Sequence, residues 1–113
     1  MAKYVFTWGA NPFFHYQDGW TEVEAPDQYT AIKAFEQFHP KRPGSKFINC
    51  AMIYTEREWN TTWMAANGEN FGHGCHERIT VEATRVYDQL EAGTLQKNEA
   101  REVVTYKRED FDG

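Results

Sequence analysis

Two short segments near the N-terminus alternate between the faces of an extended chain, and this period of two constrains the fold more than any other feature. Residues 3–9 place large aromatic side chains on one face: Tyr4, Phe6 and Trp8. Residues 20–25 turn Val23 to one side and Glu22 and Glu24 to the other. Such alternation is typical of strands with one buried and one solvated face, so the segments predict an antiparallel pair.

Two helices are marked by their N-terminal residues. Asp27 is placed to cap the first helix, which Pro40 ends. Its apolar stripe predicts the face that meets the sheet: Ala31, Ile32, Phe35 and Phe38. Thr55 and Glu58 have the spacing of a capping box, which predicts a second helix over residues 56–66.

The remaining elements are read from apolar runs. Residues 47–55 are apolar at nearly every position, which predicts a central strand covered on both faces. Residues 76–81 and 101–107 read as strands. Residues 83–93 have apolar residues at helical spacing before a glycine, and a long terminal hairpin is the alternative. Residues 108–113 are expected to form a frayed acidic tail.

Together these elements predict one α+β domain over residues 1–107, since 113 residues is an ordinary length for a single core. We expect a small antiparallel or mixed sheet with helices packed on one face, in the order β-β-α-β-α-β followed by a mixed tail. The expected core residues are Phe6, Trp8, Val23, Ile32, Phe35, Ile48, Met52 and Ile53. Trp59 and Trp63 are also expected to be buried.

Charge and composition exclude several classes of protein. A formal net charge of −5 argues against direct nucleic-acid binding, because neutralising phosphates requires clustered Lys and Arg. The basic island of Lys41, Arg42 and Lys46 is read as a solvated loop in preference to a phosphate-binding loop. Two cysteines, no leader-like apolar stretch and no long apolar run predict a cytosolic protein with free thiols and no membrane contact.

The run NFGHGCHERI, residues 70–79, concentrates groups that could carry chemistry. His73, Cys75 and His76 could bind zinc, with Cys50 or His39 brought in by the fold. Cys75 could instead act as a nucleophile beside these histidines and Glu77. The paired-ligand spacing of zinc sites is missing, and a base seldom comes from the nucleophile's own segment. A tight glycine turn is therefore favoured over a metal site, and a metal site over a catalyst; no metal, cofactor or catalytic residue is expected.

A second candidate is the loop between the first two strands, which carries several aromatic residues: Phe13, Phe14, His15, Tyr16 and Trp20. These rings could fill a partner's pocket or stack on bases. They could equally fold over the edge of the sheet, as compact loops do. The residues leave the two interpretations open.

The N-terminal strand and the stretches AFEQFHP, NCAMIYTEREW and FGHGCHE resemble small accessory proteins of phages and prophages of gut Firmicutes. The resemblance implies a non-enzymatic inhibitor that blocks a host defence protein, as anti-CRISPR proteins do, in the host cytosol. A nucleic-acid-handling target would suit an acidic surface. The expected partner-binding residues are Phe13, Phe14, His15, Tyr16, Trp20, Glu22, Glu24, Glu56 and Glu58.

Two other functions stay open. One is a sponge for a nucleotide signal, with loop aromatics stacking on the base and Lys41, Arg42 and Lys46 holding phosphate. The other is a zinc-stabilised structural or interaction domain. The oligomeric state is not indicated by the sequence.

Overall fold

A computed structural model describes residues 1–67, 74–87 and 100–112. Its strands are β1 (Ala2–Thr7), β2 (Trp20–Ala25), β3 (Met52–Thr55), β4 (Cys75–Tyr87) and β5 (Ala100–Asp110). Its helices are α1 (Gln28–Phe38), α2 (Glu56–Trp59) and α3 (Trp63–Asn67). The strands form one mixed sheet in the order β3-β1-β2-β4-β5, so the predicted α+β class is confirmed.

The two N-terminal strands pair as the alternation predicts. β1 and β2 are antiparallel, with Tyr4 opposite Val23 and Val5 opposite Glu22. Val23 is fully buried and Glu22 only partly so, which is the expected division between an inner and an outer face. β4 then adds to β2 in parallel, which makes the sheet mixed.

Helix α1 covers the inner face of the sheet. Asp27 caps it as predicted, because its side chain accepts a hydrogen bond from Thr30 N at 2.7 Å. The rings of Phe35 and Phe6 stack with their centroids 4.4 Å apart, and both are fully buried. Ile32, Ile48 and Ile53 are only partly buried and pack against this core.

Helix α2 lies on the outer face, so the expectation that the helices share one face is wrong. Its Trp59 packs on Val5 and Trp20, which point away from α1. The predicted capping box is present: Glu58 N donates to Thr55 Oγ1 at 3.2 Å, and Thr55 N donates to Glu58 Oε1 at 3.0 Å. Amphipathic spacing shows that a helix has an apolar side, but not which face of a sheet that side meets.

The predicted second helix is interrupted. Residues 60–62 form turns, and α3 starts afresh after them. Thr62 Oγ1 accepts a hydrogen bond from Ala65 N at 3.2 Å, a local bond that favours a new helix start. The break leaves Trp63 57% exposed, so only Trp59 of the expected tryptophan pair is in the core.

The segment predicted as a central strand lies at the edge of the sheet. Only Met52–Thr55 is extended, and it pairs with β1 alone. Met52 is 55% exposed and Phe47 81% exposed, so the prediction of Met52 as a core residue is wrong. An apolar run records a preference for burial, whereas the pairing order of the strands decides whether burial is reached.

The C-terminal part of the chain forms the hairpin rather than the alternative helix over residues 83–93. β4 and β5 are antiparallel, with Glu77 opposite Asp110 at one end and Tyr87 opposite Ala100 at the other. Residues 83–87 are therefore strand; residues 88–93 of the alternative helix lie outside the described residues. The tail predicted to fray from residue 108 instead continues β5 to Asp110. No helix among the described residues is both long and apolar enough to cross a membrane.

Candidate functional site

A β-bulge in β4 positions the site. Trp20 of β2 aligns with Cys75, but the next residue, Thr21, aligns with Glu77, so β4 carries His76 as one extra residue. A bulge of this kind re-aims the side chains that follow it. Cys75 consequently packs on the outer face, whereas Glu77 points into the core beneath α1.

Glu77 is a fully buried carboxylate that is surrounded by donors. Thr21 Oγ1 donates to its Oε1 at 3.0 Å, and Tyr16 OH to its Oε2 at 3.4 Å. His39 Nε2 also contacts Oε1, and Arg108 Nε donates to Oε2. Burial alone would raise the pKa of Glu77, but the hydrogen bond and charge of His39, then the hydrogen bonds of Arg108 and Thr21, lower it to about 2.

The buried carboxylate is linked to the surface through two imidazoles. His39 Nδ1 lies 3.1 Å from Nδ1 of the exposed His15. Since only one proton fits between two nitrogens at this distance, the two rings cannot both carry one there. Burial, and next the charge of His39, lower the pKa of His15 accordingly. The arrangement is a polar path from Glu77 through His39 to His15.

A column of three rings adjoins this path. The Tyr16 ring stacks between His15 and His76, with both centroid separations 4.4 Å. Tyr16 OH accepts from Arg108 Nη2 at 2.7 Å. His76 bonds Asp112 Oδ2 through Nδ1 and the Asp18 carbonyl through Nε2, both at 2.6 Å. We call Tyr16, Thr21, His39, Glu77 and Arg108, with His15 and His76 at the ends of the stack, the Glu77 cluster. It ties the aromatic loop (residues 9–19) to α1, β2, β4 and β5.

The structure does not bring the described candidate zinc ligands together. Both ring nitrogens of His76 are already bonded, and Cys75 Sγ donates to the Glu77 carbonyl at 3.1 Å. Cys50 packs on the inner side and Cys75 on the outer side, so the sheet separates them. His73 lies outside the described residues, and among the described ones there is no group of three or more potential ligands suited to a metal.

The thiols are equally unsuited to nucleophilic catalysis. Burial raises the pKa of Cys50 to about 12. Burial, and then the charge of Glu22, raise the pKa of Cys75 to about 11. Because the thiolate is the nucleophile, both groups are almost wholly in the unreactive thiol form at neutral pH.

The predicted aromatic anchors differ in how accessible they are in the structure. Phe13 is 71% exposed and His15 is exposed. Phe14 and Tyr16 pack edge-on against Trp8, at centroid separations of 5.8 and 5.4 Å, and are only partly accessible. Trp20 is 6% exposed beneath Trp59, so its assignment as a partner contact is wrong: its ring fills the outer-face core.

The predicted acidic residues do not share a surface with the loop. Glu22 lies on the outer face, where Arg78 at 3.1 Å and Lys3 at 3.7 Å neutralise it. Glu24 follows on the same face, half-buried, and Glu56 is exposed, 4.0 Å from Lys3. Glu58 is engaged in the capping box. The aromatic loop packs on the inner side instead, through Phe14 and Tyr16.

The basic island borders a pocket beside the loop. Arg42 lies over the Phe13 ring, 5.2 Å from its centroid. The pocket encloses about 120 Å³ and is lined by Asn11, Phe14, Arg42, Ser45, Phe47, Ile48, Asn49 and Cys50. An open apolar groove of about 420 Å³ continues from it along residues 46–53. We call these the Arg42 pocket and the β3 groove.

Sequence reasoning missed the two strongest partners of Glu77. From the sequence alone, His39 is a candidate only as a zinc ligand, and Arg108 falls in the tail that is expected to fray. One signal was present: Glu77 shares the period-two face of Ile79 and Val81, and a carboxylate on an apolar strand face needs buried partners. The pattern could not say which residues those partners are.

No protein-family model matches the chain, and no curated protein and no solved structure matches it.

Proposed function

We propose that the protein is a non-enzymatic, phage-type inhibitor that docks on a host defence protein through its aromatic loop. One observation supports this most directly. The Glu77 cluster holds the base of the loop against the sheet, while Phe13 at its tip remains 71% exposed. A fixed loop thus leaves this ring mostly in water, with Arg42 5.2 Å from its centroid, and such a ring can act as an anchor because aromatic residues dominate the energetics of interfaces once they are buried there.

The tip of the loop has its own internal bonds. Asn11 Oδ1 accepts from Phe13 N at 2.9 Å, and Asn11 O accepts from Phe14 N at 3.1 Å. Gln17 Nε2 donates to Asn11 O at 2.9 Å. These bonds define a local turn around Asn11. A loop that is already ordered loses less conformational entropy on binding, so more of its contact energy appears as affinity.

The class of partner rests on charge and on the resemblance described above. A net charge of −5 favours encounter with a basic surface, and nucleic-acid-handling effectors carry basic channels. Since the outer-face carboxylates lie away from the loop, they act in this proposal by steering at a distance, and the loop makes the contact.

The test begins with tagged protein used to capture partners from lysates of hosts with and without a defence system. The captured protein is purified and its affinity is measured for wild type, Phe13→Ala and Tyr29→Ala. Tyr29 is the matched control, because it is an aromatic residue of similar exposure, 68%, on α1. We expect Phe13→Ala to weaken binding by about 2 kcal/mol, roughly thirtyfold in Kd, and Tyr29→Ala to have no effect.

Phage survival provides the functional readout. Expression of the wild-type chain should raise survival of a phage in the defence-carrying host, and Phe13→Ala should lose that protection. No partner in any lysate, together with unchanged phage survival, would retire the proposal. Equal losses of affinity from Phe13→Ala and Tyr29→Ala would show that the aromatic loop is not the docking surface.

A further inference from the structure

We propose that His15 and His39 form a pH switch that releases the His15 side of the aromatic loop from the end of α1 in mild acid. The switch is a property of the chain itself and does not rest on the proposed function. Two features carry the inference. One is a contact between two imidazoles that has room for a single proton, and the other is a buried carboxylate that keeps one of the two rings in place.

The contact between the two rings limits how many protons they can hold. Their Nδ1 atoms lie 3.1 Å apart. His39 Nε2 contacts the ionised Glu77 carboxylate, which only accepts hydrogen bonds, so this nitrogen carries a proton and Nδ1 is left to face His15. With one proton between the Nδ1 atoms and another on Nε2 of His15, the closed pair has one positive charge. A further proton would place N–H groups on both Nδ1 atoms, and two donors cannot keep this contact.

Glu77 decides which ring moves when the second charge arrives. Its pKa is lowered to about 2, so the carboxylate stays ionised in mild acid and keeps its contact with His39. His39 is 2% exposed and lies at the C-terminal end of α1, whereas His15 is exposed on the loop. Because burial penalises the charged form of a side chain, the doubly charged pair separates by moving His15 into solvent.

The groups around His15 set the pH range of the switch. Burial lowers the pKa of His15 from its ordinary value of 6.5, and the charge of His39 lowers this pKa further. Arg108 acts in the same direction, whereas Glu77 and Asp110 act against it. Since the closed state lowers the pKa of His15, acid shifts the equilibrium toward the open state. The switch therefore operates below pH 6.5 and above the pKa of Glu77.

The other end of the ring column responds to acid in the opposite way. His76 stacks on Tyr16 and bonds the Asp18 carbonyl and the Asp112 carboxylate. Both partners only accept hydrogen bonds, so both bonds form together only when His76 carries two ring protons. The Tyr16 phenol is neutral throughout this range, because burial raises its pKa above the ordinary 10.0. Acid thus releases the loop at His15 and strengthens its attachment at Asp18.

An NMR titration of the isotope-labelled protein tests the proposal. The ring-nitrogen shifts of each histidine count its protons, and nuclear Overhauser effects between the rings of His15 and His39 report their contact. From about pH 8 to about pH 4, we expect the pair to take up its protons in two steps, as coupled groups do. The effects between the two rings should disappear with the second step. Over the same step, the backbone order parameters of His15 and Tyr16 should fall from about 0.85 to below about 0.6.

His15→Gln removes the titrating ring but keeps a partner for His39 Nδ1, because an amide can donate through its N–H or accept through its oxygen. We expect the loop of this variant to keep its order parameters across the whole titration. His73→Gln makes the same substitution at a histidine that lies outside the described residues, and this control should switch like wild type. Circular dichroism establishes that each variant is folded.

The titration of the wild-type chain is decisive by itself, even if His15→Gln does not fold. Effects between the rings that persist after both rings carry two protons would overturn the proposal. So would a pair that takes up no second charge before Glu77 titrates. Equal loosening of the loop in His15→Gln and in wild type would also overturn it, because the cause would then lie outside the pair.

Discussion

Glu77 is a fully buried carboxylate that joins His39, Arg108 and Thr21 below the surface. Removing one partner of a buried ion pair costs about 3–5 kcal/mol, because the remaining charge stays buried and unpaired. The Arg108 side chain is 25% exposed, so solvent recovers part of that cost. We expect Glu77→Gln to lower the free energy of unfolding by about 3 kcal/mol. Urea denaturation measures this directly.

Glu24→Gln is the matched control for that measurement. Glu24 is also a strand carboxylate, but it lies half-buried on the outer face. Its substitution should change the free energy of unfolding by less than about 0.5 kcal/mol. Equal effects of the two substitutions would show that the Glu77 cluster adds no stability beyond that of an ordinary strand carboxylate.

The same carboxyl group predicts how stability depends on pH. The partners of Glu77 lower its pKa from 4.5 to about 2 in the folded protein. A group with a depressed folded pKa contributes stability that is fully present above the unfolded value and is lost as the pH falls through the folded one. We therefore expect the free energy of unfolding to decline between pH 4.5 and about pH 2. Urea midpoints across this range should decline less steeply in Glu77→Gln, and parallel declines in the two proteins would contradict the assignment.

At this scale, the sequence predicted what could be read from local chemistry. Asp27, Thr55 and Glu58 were identified because caps depend on residues only three positions apart. The contact between Glu77 and Arg108 spans 31 residues of a hairpin, and that with His39 spans 38. Neither pairing leaves a local pattern, so the site could be predicted only as a lone carboxylate on an apolar face.

Among the elements, the turn from the aromatic loop into β2 depends on a single glycine. Gly19 has φ +78°, and a Cβ there would lie 2.4 Å from the Gly74 carbonyl oxygen and 2.5 Å from His76 Nε2. Gly19→Ala would therefore combine a left-handed conformation with a clash against backbone. We expect it to cost more than about 3 kcal/mol in stability and to disturb the bulge at His76.

Gly44 isolates the backbone contribution to that cost. It has φ +79°, and nothing lies within 4 Å of the position of its Cβ. Gly44→Ala should then cost only about 1–2 kcal/mol, the price of the left-handed conformation alone. Thermal unfolding compares Gly19→Ala with Gly44→Ala. Similar melting temperatures would mean that the aromatic loop shifts to accommodate the methyl group added at Gly19.

Element types were more predictable than element positions. The alternation of β1 and β2 follows from local sterics, and their antiparallel pairing was predicted correctly. The edge position of β3 was not, because the strand order depends on β4 joining β2 in parallel across the chain. Long-range pairing also decides the structure of residues 83–87. Their helical spacing is overridden because they pair with residues 100–104 in the hairpin of β4 and β5.

At the scale of the whole molecule, the acidic residues that could attract a partner lie apart from the loop proposed to contact it. The aromatic loop belongs to the inner side of the sheet, whereas Glu24 on the outer face lies away from it. Glu109 is an exposed residue of β5 and likewise does not belong to the aromatic loop. If the proposed partner is basic, these carboxylates affect only the approach, because charge interactions reach about a Debye length of 8–10 Å in physiological salt and further in dilute buffer.

Joint reversal of Glu24 and Glu109 to lysine tests this separation, since it moves the formal net charge of −5 toward zero without touching the loop. We expect the association rate with the captured partner to fall about tenfold at low ionic strength, and the deficit to shrink as salt is added. The dissociation rate should not change. Phe13→Ala should show the opposite behaviour, with faster dissociation and an unchanged salt dependence of association. Surface plasmon resonance over a range of salt concentrations resolves both rates. A reversal variant that dissociates faster would place the carboxylates inside the interface and require a partner that spans both faces of the sheet.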